Sequence, residues 1–165
     1  MKGSAAGHTA DAEHRTADRT QPPEGTPMSH ATVTRAVDLL LVVGPVDTLA
    51  VPATLTYTAA DPYAITAVFE AGDHGAVTWV FARDLLAAGL DRPTGEGDVA
   101  VWPSLDAGMH VVCVSLSSPA GHALFEAPRA ELAEFLAQTE ALVAIGSEGD
   151  HVDLDAALAD LLAGL

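Results

Sequence analysis

From Ala31 onward, apolar residues recur at every second position. Val33, Val37, Leu39, Leu41 and Val43 alternate with Thr32, Thr34, Ala36, Asp38, Leu40 and Val42, with Arg35 on the apolar phase. The alternation is polar at first and then apolar on both phases, as in a strand that runs from an edge into a core. Gly44-Pro45 ends it. A second strand is predicted over Leu49 to Thr58, with Pro52 as an edge or bulge mark, and a third from Asp61-Pro62 through Phe69. Gly72-Asp73-His74-Gly75 is a hairpin signal before a fourth strand with Val77, Trp79 and Phe81 on one face. Four strands joined by short turns predict an antiparallel meander.

The period then changes. Phe81 to Leu90 reads as a short helix burying Leu85, Leu86 and Leu90, with Gly89 near its end, and Asp91 to Asp98 as a loop. Val99 to Trp102, Met109 to Leu116 and His122 to Glu126 supply three more strands. Ala127-Pro128 is placed in a first helical turn, and Leu132, Phe135, Leu136 and Leu142 follow at helical spacing. Asp153 is the expected N-cap of a last helix, whose stripe is Leu154, Leu158, Leu161, Leu162 and Leu165. Seven strands, a short crossover helix and two C-terminal helices predict an α+β fold, a curved antiparallel sheet or barrel with helices at one end. The terminal leucine stripe needs a cover, the sheet in a monomer or another subunit's helix in an oligomer.

Residues 1–30 contain no Val, Ile, Leu or aromatic residue. Such a segment cannot bury enough apolar surface to offset its chain entropy, and it reads as a tail or linker ahead of one domain over 31–165. Of the whole chain's 165 residues, 49% are apolar and 18% charged, and the formal charge is −16. Residues 31–165 hold nineteen carboxylates against Arg35, Arg83, Arg92 and Arg129, so the acidity belongs to the folded body. A field of that sign repels phosphate backbones and anionic lipid heads. The longest apolar run, Leu39 to Gly44, is far short of a span, and no apolar leader opens the chain, which predicts a soluble cytoplasmic protein.

No catalytic constellation stands out. The chain has no Gly-x-Ser-x-Gly elbow, and Ser115, Ser117 and Ser118 read as core and turn hydroxyls. Cys113, the lone cysteine, sits among valines and reads as a buried inert thiol. Asp150-His151-Val152-Asp153 is better explained as a helix start than as a metal site, and Gly95-Glu96-Gly97-Asp98 as a turn than as a phosphate cradle. Trp79, Phe81 and Trp102 lack interleaved cations and are assigned to the core rather than to base stacking. Arg83 and Arg92 are expected to be paired structurally, because cations are so scarce here.

The wording of the middle of the chain is specific. Asp61-Pro62-Tyr63-Ala64, the string from Trp79-Val80-Phe81-Ala82-Arg83-Asp84-Leu85-Leu86 through Arg92-Pro93-Thr94-Gly95 to Val101-Trp102-Pro103, Leu116-Ser117-Ser118-Pro119 and Glu126-Ala127-Pro128 resemble the SsgA/SsgB family of actinomycete sporulation and cell-division regulators. The resemblance runs from about Thr34 to Leu162. It implies a Whirly-like arrangement of curved antiparallel sheets with C-terminal helices, no enzymatic activity and no cofactor. It also implies a homo-oligomer, a trimer being favoured, that works at the division septum on FtsZ or with a paralogue in septum placement or septal wall assembly. Ala100 and Gln138 stand where SsgB-like members usually carry cations. The candidate interaction residues are Arg92, Thr94, Glu96 and Asp98 of the exposed loop, and Leu158, Leu161, Leu162 and Leu165 of the last helix. A single-stranded nucleic-acid-binding module on the same fold is the alternative, opposed by the body charge; no direct membrane insertion is expected.

Overall fold

In the computed structural model, residues 31–72 and 75–163 are described, so the expected tail over 1–30 and the hairpin residues Asp73 and His74 lie outside the described residues. The period-two segments become strands β1 (Thr32–Val42), β2 (Thr48–Thr58), β3 (Asp61–Glu70) and β4 (Ala76–Ala82). After helix α1 (Arg83–Gly89) come β5 (Val99–Asp106), β6 (Met109–Ser118) and β7 (Gly121–Pro128), then α2 (Arg129–Leu142), a 3-10 turn (Glu148–His151) and α3 (Leu154–Ala163). Among the described residues these strands form one seven-stranded antiparallel sheet in the order β4-β3-β2-β1-β7-β6-β5. It is the expected α+β class: a meander on each side, joined where β7 returns to β1.

That junction is brief. β1 pairs with β2 along its whole length but with β7 only at Leu40↔Glu126 and Leu41↔Phe125. The sheet therefore opens along the rest of β1, and α2 packs into the opening against β1, β6 and β7. An ion pair of 2.8 Å between Arg35 and Glu134 straps β1 to α2. The inward face carries Val37 and Leu39, Ala53, Leu55 and Tyr57, Ile65, Ala67 and Phe69, Val101, Val112 and Val114, and Phe125 and Ala127, closed from one end by Leu86, Leu132 and Phe135 of the helices. Phe69 and Phe125 stack across the curve at 4.9 Å between ring centroids.

Several boundaries differ from the sequence reading, each for a local reason. Phe81 lies in β4, one residue before its end, instead of opening a helix, because it shares the face of Val77 and Trp79 and pairs with Ile65. Ala127-Pro128 closes β7 rather than lying inside α2: Ala127 is fully buried in the core, opposite Val112, and Pro128 is the extended N-cap residue at φ −60° and ψ 120°. β5 continues past Trp102 through Pro103 to Asp106, which an edge strand tolerates. Pro52 lies in an interior strand, opposite Asp38, but the β2–β3 ladder stops at Ala53, so its missing N–H interrupts no pairing on that side. The bulge of β2 is at Thr56/Thr58 instead. Trp79 packs against the core, whereas Trp102 is half-buried outside it. Cys113 is buried, and burial raises its thiol pKa, as fits an inert thiol.

Candidate functional site

The two arginines of the specific string have opposite fates. β4 alternates Val77, Trp79 and Phe81 inward, and Arg83, two residues on, follows the same phase under the C-terminal end of α2. Only 2% of Arg83 is exposed. Its Nη1 donates to the carbonyl of Val143 at 2.7 Å and lies 3.5 Å from that of Thr139, and its Nη2 pairs with Glu148 Oε1. The guanidinium sits 5.1 Å above the Tyr57 ring, and the Tyr57 hydroxyl donates to the Pro62 carbonyl at 2.9 Å. Glu148, 7% exposed, also accepts the Gly146 N–H at 2.7 Å on Oε2. Backbone N–H groups, its own and that of Gly146, together with the Arg83 guanidinium, hold the Glu148 carboxyl below the usual carboxylate range, against the opposing effect of burial. Burial pushes the Tyr57 phenol up, with Arg83 opposing. This cluster anchors the segment after α2 to the sheet. Arg83 was expected to pair; its partner was not anticipated, and the available signal was a glutamate set between Gly146 and Gly149 beyond a helix in a chain with four body cations.

Arg92 is the correction. Its backbone is fixed, its N–H donating to the Ala88 carbonyl at 3.1 Å, but its side chain is exposed and has no hydrogen bond or ion pair among the described residues. Arg35 and Arg83 are paired, and Arg129 binds Asp91 at 2.8 Å and the Leu90 carbonyl at 3.3 Å. Arg92 is thus the uncommitted cation of the described body. The turn that follows it is rigid without help from that side chain. Thr94 exchanges backbone hydrogen bonds of 2.8 Å with Val101, its hydroxyl donates to the Arg92 carbonyl at 3.0 Å, and Ser117 N–H donates to the Asp98 carbonyl at 2.8 Å. Gly95 adopts φ +97°, and a Cβ there would lie 2.3 Å from the Val99 carbonyl oxygen, so this position requires glycine. Glu96 and Asp98 are exposed and Thr94 is half-buried, which leaves Arg92, Glu96 and Asp98 presented on a fixed backbone.

α3 presents Leu158 and Leu162, 54% and 61% exposed and one helical turn apart. Among the described residues no neighbour covers these two, so the sheet does not provide the expected cover for them. The side chain of Leu161 and the whole of Leu165 lie outside the described residues. No hydrogen bond or ion pair among the described residues joins the Arg92 loop to α3. Asp153 directly precedes α3, at the position of its expected cap, after the 3-10 turn that takes up Asp150 and His151.

Chemistry of other kinds finds little to work with. No three His, Cys, Asp or Glu among the described residues converge on a metal-sized site. Ser117 Oγ and His122 Nδ1 lie 2.9 Å apart as an exposed cross-strand pair, a contact the sequence reading did not anticipate, and no carboxylate orients the imidazole among the described residues. At the end of the sheet away from the helices, an apolar groove of about 780 Å³ opens between Leu41, Leu49, Phe69, Trp79, Leu116 and Phe125.

A family described as Streptomyces sporulation and cell division protein, SsgA, matches residues 51–148. The chain belongs to the SsgA family of sporulation and cell-division proteins. It is 54% identical over 134 residues to the sporulation-specific cell division protein SsgB of Streptomyces coelicolor, covering 81% of this chain and 98% of that protein. It is 50% identical over 135 residues to the SsgB of Frankia casuarinae, covering 82% and 94%. Two solved structures superpose well. One, from work relating mutations in SsgB to longitudinal cell division during S. coelicolor sporulation, has a TM-score of 0.73 at 54% identity over 74% of this chain and 97% of that one. The other, an SsgA-like sporulation-specific cell division protein of Thermobifida fusca, has a TM-score of 0.72 at 45% identity over 82% and 98%. The family segment includes the Arg92 loop and ends on Glu148, the carboxylate that Arg83 holds, while α3 lies beyond it. No helix among the described residues is long and apolar enough to cross a membrane.

Proposed function

We propose that this chain is a non-enzymatic regulator of sporulation-specific cell division, acting by protein–protein contact in septum-site placement through the FtsZ ring or in septal wall assembly. It works at the division septum from the cytoplasm, as a homo-oligomer for which a trimer is favoured, with FtsZ or a paralogue of its own family as partner. The observation that carries the contact reading is Arg92, a cation unpaired among the described residues on a hydrogen-bonded, exposed loop inside the family segment of a body with nineteen carboxylates. An uncommitted charge that stabilises nothing in its own fold is available for a partner. Leu158 and Leu162 on α3 offer an apolar surface suited to self-assembly. The alternative of single-stranded nucleic acid finds no basic face among the described residues, whose other three arginines are already paired.

The test is co-sedimentation of the full chain with FtsZ polymer, with an SsgB-like protein as second bait. Pelleting with FtsZ that is lost in Arg92→Ala makes the chain a direct ring-binding factor. Capture by the SsgB-like bait alone places it one step behind the recruiter. Capture by neither overturns the reading.

A further inference from the structure

The two edges of the sheet are treated differently. β5, at one edge, is guarded: Thr94 of the preceding loop pairs with Val101, Pro103 removes a donor, and Asp106 closes the strand with a charge. β4, at the other edge, pairs among the described residues only with β3, and its outer side meets no strand of theirs. Its sequence, Ala-Val-Thr-Trp-Val-Phe-Ala, has no proline, glycine or charge, and Val77 and Val80 are 45% and 59% exposed on its two faces. Natural sheets rarely leave so long an uncharged edge open, because its unpaired N–H and C=O groups template another strand. Val77 and Trp79 also line the apolar groove, so a strand added beside β4 would send alternate side chains toward that groove.

We infer that the β4 edge is a docking site for an extended peptide segment of a partner protein, apolar at alternate positions and flanked by Lys or Arg. The backbone of such a segment would complete the β4 ladder, its apolar side chains would lie along Val77 and Trp79, and its cations would meet the carboxylates at the two ends of the edge. Those carboxylates are Glu70, opposite Ala76, and Asp84, just beyond Ala82; both are exposed, and the adjacent cation, Arg83, is buried. The same charges disfavour a second copy. Two β4 strands paired about a two-fold axis would bring Glu70 of each chain toward Asp84 of the other. The inference goes beyond the septation reading and fails separately from it.

The experiment selects a random library of peptides of about ten residues on the full chain and follows backbone amide exchange with the winners bound. The expected result is enrichment of peptides with period-two apolar residues and basic flanks that slow exchange in β4 by about tenfold or more. N-methylation of every second amide of a winning peptide is expected to remove binding while leaving its side chains unchanged. An empty selection, winners that leave β4 exchange unaltered, or N-methylated peptides that bind equally well would each overturn the proposal. So would β4 protection that rises with protein concentration in the absence of peptide, which would assign the edge to a second copy.

Discussion

Arg83 opens α1 and Arg92 lies three residues past its end, nine positions on, yet one is sealed in the core and the other is exposed to solvent. Arg83 is delivered inward by the strand phase of β4 and meets carbonyls at the end of α2, a carboxylate and an aromatic face. Arg92 follows the helix on a loop whose geometry is set by Thr94 and Gly95, and its side chain is exposed with no partner among the described residues. The contrast separates two uses of a scarce residue. A buried guanidinium whose two Nη groups are bonded, with only its Nε left without a partner among the described residues, organises the fold, while an exposed one with no partner among the described residues leaves the fold indifferent to it and is available for recognition.

The contrast breaks most visibly at Arg83. Arg83→Ala leaves the buried Glu148 carboxylate without its countercharge and the carbonyl of Val143 without its side-chain donor, and thermal unfolding is expected to fall by roughly 10 °C, with proteolysis beginning in the segment after α2. Next comes the packing that sets the Arg92 loop in place. Gly89→Ala would put a Cβ 2.3 Å from Val101 Cγ1 and 2.5 Å from its Cβ, a clash expected to cost about 1–3 kcal/mol in denaturant unfolding. Gly95→Ala at φ +97° belongs in the same range.

A milder perturbation is acid. Because the folded-state pKa of Glu148 is depressed, its stabilising contribution is complete above the ordinary glutamate value of 4.5 and is lost as pH falls through the lowered one. Protease protection of the segment after α2 is therefore expected to be flat from neutral pH down to that value and to decline below it, and Glu148→Gln to remove this decline. The smallest structural effect falls on Arg92. Arg92→Ala is expected to change stability by no more than about 0.5 kcal/mol, within the range of surface substitutions, while septation is no longer complemented in a sporulating host. If Arg92→Ala unfolds the protein, the distinction between the two arginines collapses. A chain ended after Asp153 extends the comparison to α3: its unfolding temperature is expected to stay within about 2 °C, while its mass in solution drops if Leu158 and Leu162 hold copies together.

Much of the architecture was readable along the chain because it is written in short-range periods. The alternation of Val33 to Leu41 and of Val77 to Phe81 marks strands whichever partner they meet, and Leu132, Phe135 and Leu136 mark a helix face by spacing alone. Boundaries slipped where one residue suits two elements. Phe81 fits either an inward strand position or a helix face, and Pro128 either a strand end or a first helical turn; register with Ile65 and Val111 decided for the strand. Of the candidate site, the exposure of Arg92, Glu96 and Asp98 agreed with a loop rich in Gly and Pro, but that Arg92 has no partner among the described residues did not follow from composition.

By itself the sequence determined the α+β class, the positions of the elements, the acidity of the body and, through the string from Trp79 to Pro103, the family. Tertiary structure decided what depends on residues far apart in the chain: that Arg83 reaches a glutamate 65 positions away, that β7 touches β1 at only two pairs and leaves α2 a place to pack, and that β4 rather than β5 is the open edge. Periodicity is a property of neighbours, set by the geometry of a single strand or helix. Pairing, burial of a charge and the identity of an edge are properties of the assembled sheet, because each depends on which distant segment the turns and the hydrophobic core bring alongside.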